Sequence, residues 1–145
     1  MLYTVDPKKI VMVFGTKTIK GFADGTFLDV ERNEDMFSEV VGADGEVTRV
    51  KSNNRTGTAT FTLLQSSTSN DDLSAYALVD EQTGLGVFPF IVTDTLGKTN
   101  IFSAMGYIKR IAKVEESKTA TNREWKIFLV DVNVFVGSNT AATAA

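Results

Sequence analysis

The chain has 145 residues, 43% of them apolar, a formal charge of −3, and neither cysteine nor histidine. That length suits one domain with a core of its own, and the mixed charges give no bulk attraction to nucleic acid. Without Cys and His there is no disulfide or thiolate nucleophile. The commonest metal ligand and the commonest general base are also missing.

The opening MLYTVDPKK has no basic stretch followed by an apolar one, so it is not expected to act as a secretory signal. No apolar run approaches the roughly 18–20 residues of a membrane helix. Residues 1–7 read as a loose arm ended by Pro7. Ile10, Val11, Met12, Val13 and Phe14 form a short β-branched apolar run, the pattern of a strand buried on both sides. Gly15-Thr16 suits a tight turn, and residues 17–22 follow as the hairpin partner. Asp24-Gly25 marks a second turn. Residues 27–32 make a third strand, with Leu28 and Val30 on one side and Asp29 and Glu31 on the other. The opening therefore predicts a three-stranded meander.

Residues 33–57 break this order. Asn33, Glu34 and Asp35 are polar, Met36, Phe37, Val40 and Val41 apolar. Asp44-Gly45 turns the chain, Val47 and Val50 follow, and residues 51–57 are polar again. Connections this long usually do a job. The stretch predicts a protruding hairpin with its apex at Asp44-Gly45. Its apolar residues either meet another chain or fold back onto their own core.

Residues 58–64 alternate strictly: Thr58, Thr60 and Thr62 share one face, Ala59, Phe61 and Leu63 the other. A capped helix should follow, with Ser69 or Asn70 accepting a free backbone N–H and Asp71 and Asp72 at its positive end. Leu73, Tyr76 and Ala77 make its buried stripe, and Gly84 stops it. Residues 87–94 form a strand whose Pro89 places an edge or bulge at its start. Residues 95–98 turn the chain, residues 100–105 pair back, Gly106 suits a bulge, and residues 107–114 continue. Residues 115–122 read as a polar loop. In the last strand, residues 123–136, the apolar side changes parity at Leu129-Val130, which a bulge or a move between sheets would explain. Residues 138–145 are small and polar, the pattern of a flexible tail.

The chain therefore reads as a single mainly β domain over residues 1–145. Its expected architecture is two packed antiparallel sheets forming a sandwich or partly closed barrel, with one flanking α-helix and the long arm. Chemistry is scarce. Asp71-Asp72 and Glu115-Glu116 are sequence neighbours, unlike the separated carboxylates of acid–base pairs. Asp24-Gly25 and Asp44-Gly45 lack calcium-loop spacing. Gly84-Leu85-Gly86 follows a helix rather than opening one, so it is no phosphate cradle. Asn54-Arg55-Thr56 matches a glycosylation pattern by chance. Tyr107, Lys109, Arg110 and Lys113 form one basic cluster, and Arg49, Lys51 and Arg55 another. A solvated face or an intersubunit salt bridge explains both better than nucleic acid does. Trp125 fits the core. No catalytic, metal or cofactor site is expected.

The central stretch resembles the tail tube proteins of contractile-tailed bacteriophages. The likeness is carried by Gly42, Asp44-Gly45-Glu46, Thr48-Arg49-Val50, Ser52-Asn53-Asn54-Arg55-Thr56-Gly57, Leu64-Gln65-Ser66, Ser69-Asn70-Asp71 and Leu73-Ser74. It extends through Val87-Phe88-Pro89, Asp94-Thr95-Leu96-Gly97, Arg123-Glu124-Trp125 and Phe135-Val136-Gly137-Ser138-Asn139, with Gly137-Ser138 where a glycine pair is expected. Type VI secretion tube proteins are similar in fold. The resemblance implies six-copy rings stacked into a hollow tube and assembled in a bacterial host cytoplasm. It implies a sheath outside, a tape-measure protein inside during assembly, and double-stranded DNA passing without specific binding.

On this reading Met36, Phe37, Val40, Val41, Val47, Arg49, Val50 and Arg55 meet a neighbouring subunit or ring. Thr58, Thr60 and Thr62 face the bore, whose lining should be hydroxyls and carboxylates rather than Lys or Arg, because duplex DNA carries one charge per about 1.7 Å. Two other outcomes are open: a ring component that does not polymerise, such as a terminator or baseplate tube protein, and a monomeric β-barrel holding a small ligand.

Overall fold

The computed structural model describes residues 2–25 and 27–140. A 3-10 turn, Pro7–Lys9, capped by the Asp6 carboxylate, leads into β1, Ile10–Phe14. Then come β2 (Lys17–Ile19), β3 (Leu28–Arg32), β4 (Phe37–Val41), β5 (Val47–Lys51) and β6 (Gly57–Leu63). The helix α1, Ser69–Thr83, precedes β7 (Phe88–Asp94), β8 (Asn100–Arg110), β9 (Arg123–Leu129) and β10 (Val132–Phe135).

One antiparallel sheet makes the whole body, in the order β2-β1-β7-β8-β9-β6-β3, with β10 also on β8. β8 joins the two layers. Residues 100–103 pair with both β7 and β10, and residues 106–110 run beside β9. The inward side chains of the two halves form one core. Met12, Phe14, Phe90, Val92 and Ile101 face Ala59, Phe61, Leu63, Trp125, Ile127 and Leu129. The far margins approach each other at the isolated Phe22–Leu63 bridge. The body is thus a mainly β sandwich with partial closure and one helix, the architecture expected from the alternation of short strands.

Several local expectations change. The opening three strands are not a meander: β3 leaves β2 and pairs with β6, Leu28 opposite Phe61 and Val30 opposite Ala59. Its apolar side is completed by the equally apolar side of β6, a gain unavailable beside β2, which is three residues long. β1 is not buried on both sides either. Met12 and Phe14 are sealed and Val11 is exposed. β8 is irregular where Gly106 suggested, with one extra residue between Ser103 and Gly106 against β7, and again between Ile108 and Arg110 against β9. The parity change after Leu129 is a move between layers, from the second half of β8 to its first.

The helix carries Leu73 and Ala77 inward, with Tyr76 against Phe14 and Phe88. Gly84, at φ 71°, ends it in the left-handed region that favours glycine. Its start departs from the expected cap: Thr68 holds the cap position without a side-chain bond. Ser69 instead accepts from the Lys20 N–H at 2.9 Å, and the Asn70 carboxamide oxygen accepts from the Trp125 indole N–H at 2.9 Å. These two side chains fasten the helix to the sheet. Residues 138–140, expected to fray, are held to the β7–β8 turn by Lys98 N–H to Ser138 O at 3.0 Å and Thr140 N–H to Leu96 O at 2.8 Å. Residues 141–145 of the expected tail lie outside the described residues.

Candidate assembly interface

Residues 33–57 leave the body as an arm. Its two strands pair only with each other, Phe37 opposite Lys51 through Val41 opposite Val47. The turn closes with Gly42 N–H to Glu46 O at 2.7 Å and Gly45 at φ 90°. Every residue of both strands is exposed, including Val40 at 60%, Val41 at 63% and Val47 at 66%. Strand alternation sorts the hairpin into two sides. Met36, Ser38, Val40, Thr48 and Val50 form an uncharged side. Phe37, Glu39, Val41, Val47, Arg49 and Lys51 form the other, with the Arg49 guanidinium 4.2 Å above the Phe37 ring.

The arm's root is bound to the body. Val132 N–H donates to Arg55 O and Asn33 N–H to Thr56 O, both at 3.0 Å. The Asn33 carboxamide bridges Thr56 and Thr58 at 3.0 and 2.9 Å. Arg55 reaches Asp131 at 2.8 Å and also donates to Asn133. Gly57 starts β6 where a Cβ would stand 2.7 Å from a Val132 methyl and 3.0 Å from Glu31 O, so only glycine lets the strands close there. Of the residues proposed from sequence for subunit contact, seven lie on the blade or at its foot; Arg55 lies at the root with partners in its own chain.

Thr58, Thr60 and Thr62 project from the outer side of β6, half-buried between neighbours. The register extends that face over four strands. Asp29, Thr60, Lys126 and Arg110 form one row, and Glu31, Thr58, Phe128 and Tyr107 the next. Tyr107 and Phe128 stack at 5.3 Å between centroids. Glu124 stands opposite Thr62. The threonine stripe thus belongs to a face that also holds Asp29, Glu31, Glu124, Lys126, Lys109 and Arg110. Its threonines and carboxylates share it with cations, which sequence reading of single strands had no means to place there.

This four-strand face has two open margins. β3 bonds only to β6, and residues 107–110 of β8 bond only to β9, so one backbone edge of each is free among the described strands. Trp125 is 2% exposed with its N–H paired, in the core as the sequence suggested. The buried Arg123 guanidinium bonds Thr121 and Glu116 at 2.7 and 3.3 Å, pinning the 115–122 loop. Among the described residues no cluster of three acidic side chains could hold a metal, and no helix is long and apolar enough to cross a membrane.

A packed sandwich with free strand margins and a bare arm offers surfaces for contact with other chains. The chain belongs to the bacteriophage tail tube family: residues 13–137 match the family described as "Bacteriophage PhiTE tail tube protein". It is 31% identical, over 98% of its length and 87% of the relative's, to "Structural protein ORF10" of Pseudomonas phage KPP10. It is therefore a structural component of a phage tail and not an enzyme. Its fold is that of contractile injection system tube and terminator proteins. The chain superposes with TM-score 0.59 and 12% identity on the sheath-tube complex of an extracellular contractile injection system, PVC, covering 92% of both chains. The tube-terminating cap of the anti-feeding prophage gives TM-score 0.59 at 8% identity, covering 93% of both.

Proposed function

We propose that this chain is the inner-tube subunit of a contractile phage tail. Copies join side by side into hexameric rings, rings stack, and the bore conducts double-stranded DNA at ejection. The observation that carries this reading is the four-strand face open at both sides. Its margins run antiparallel to one another, because β3, β6, β9 and β8 alternate in direction. The β3 margin of one copy can therefore bond to the β8 margin of the next, and repetition closes a ring that leaves neither of these two margins open to aggregate. Thr58, Thr60 and Thr62 then look into the bore with balanced charges beside them, so the wall does not hold a polyanion.

In this reading the arm crosses to an adjacent subunit or ring. Met36, Phe37, Val40, Val41, Val47, Arg49 and Val50 become covered, and Arg55 steadies the crossing point. The tape-measure protein fills the bore during assembly in the bacterial cytoplasm, and the sheath surrounds the tube. A fold shared with a sheath-tube complex supports the sheath as partner. A second reading, a ring that does not polymerise, is favoured by the likeness to the tube-terminating cap. Negative-stain microscopy of the purified chain separates the outcomes. Long tubes support the inner-tube subunit, single rings the terminator, and featureless monomers at high concentration overturn both.

A further inference from the structure

The two free margins of the four-strand face carry opposite charge. Asp29 and Glu31 stand exposed on the outer side of β3, two residues apart, and neither has an ion partner among the described residues. Across the face Arg110 lies directly opposite Lys126, with Lys109 in the bulge beside it. None of these three has an ion partner there either. Like charges directly opposite in a sheet are unfavourable, and here the single chain does nothing to relieve them.

We propose that these margins are the two halves of one seam. Asp29 and Glu31 of one copy pair with Lys109 and Arg110 of the next. The proposal rests on the ring reading above and says what gives that ring its direction. Asp29, Thr60, Lys126 and Arg110 already form one row across the sheet. A second copy that continues the row sets its Arg110 beside Asp29. Backbone bonding alone would also allow β3 to pair with β3, or β8 with β8, giving a two-fold dimer. Those pairings bring carboxylate to carboxylate or cation to cation, so charge excludes the closed dimer and leaves the head-to-tail contact. The same pairing neutralises two of the face's three cations in the assembly.

The test uses the full-length chain, the charge reversals D29K/E31K and K109E/R110E, and their equimolar mixture. Sedimentation velocity and negative-stain microscopy read assembly; circular dichroism and thermal melting read the fold. Each reversed chain alone puts like charges at the seam and should need about a hundredfold higher concentration to assemble than the unaltered chain. The mixture should assemble again, because each reversed margin now meets its opposite, and a six-membered ring can alternate the two chains. The neutral pair D29N/E31Q should shift assembly in the same direction by less. Reversed chains that assemble like the original overturn the seam, as does a mixture of folded chains that stays dispersed, or a neutral pair with no shift. If the unaltered chain never associates, the ring reading falls and the seam with it.

Discussion

β6 and the arm hairpin look alike on paper, since both are rich in β-branched residues, yet they end in opposite surroundings. Along β6, Ala59, Phe61 and Leu63 are sealed between layers, with strands bonded on both sides. In β4 and β5 the valines have no second layer, and all ten residues are exposed. The difference is the number of neighbours. A strand inside a curled sheet has two strand partners and an opposing layer, and a two-stranded hairpin has only its twin. Such a hairpin is marginal in water and is completed only by contact with something else. Stability and assembly should therefore separate along this boundary.

Removing the arm tests that boundary most severely. Replacing residues 36–51 with a short Gly-Ser linker should leave a body that melts as before and abolish stacking, seen as loss of tubes by electron microscopy. Unchanged tubes would mean that the arm serves only its own chain. Inside the body, Phe61→Ala should cost about 3–5 kcal/mol in denaturant titration, because the cavity lies between closed layers. Gly57→Ala, which drives a Cβ into Val132 and the Glu31 carbonyl, should cost about 1–3 kcal/mol. Asn70→Ala leaves the buried Trp125 N–H without an acceptor and should cost a similar 1–3 kcal/mol. On the arm, Val40→Ala should stay within about 0.5 kcal/mol of the original stability while weakening assembly. A large loss of monomer stability from Val40→Ala would erase the distinction.

Much of the fold was legible because alternation reports which side of a strand is greasy. The inward residues of β6 and β9, the buried stripe of α1 and its Gly84 stop follow from local pattern. The parity change after Leu129 was visible too, but only the pairing of β10 with β8 decided between a bulge and a move between layers. Partner choice was not legible. Nothing in residues 27–32 says that they pair with β6 rather than β2, since their apolar side suits either neighbour and the gain comes from the opposing layer. Ser69 and Asn70 look like caps, yet their oxygens are taken by Lys20 and Trp125, residues distant in sequence. The hydroxyl stripe of β6 was visible, and Lys109 and Arg110 stood out as a basic cluster. Their meeting with Asp29, Glu31 and Lys126 on one face depends on three pairing registers.

By itself, then, the sequence determined the β-rich class, the alternating faces, the protruding arm and membership of the tail tube family. These depend on neighbours a few residues apart and on motifs. Which margins stay open and which charges share a face emerge only once the strands have paired. Those outcomes are set by hydrogen bonds between distant strands, and many sequence-compatible registers compete until packing of both layers selects one.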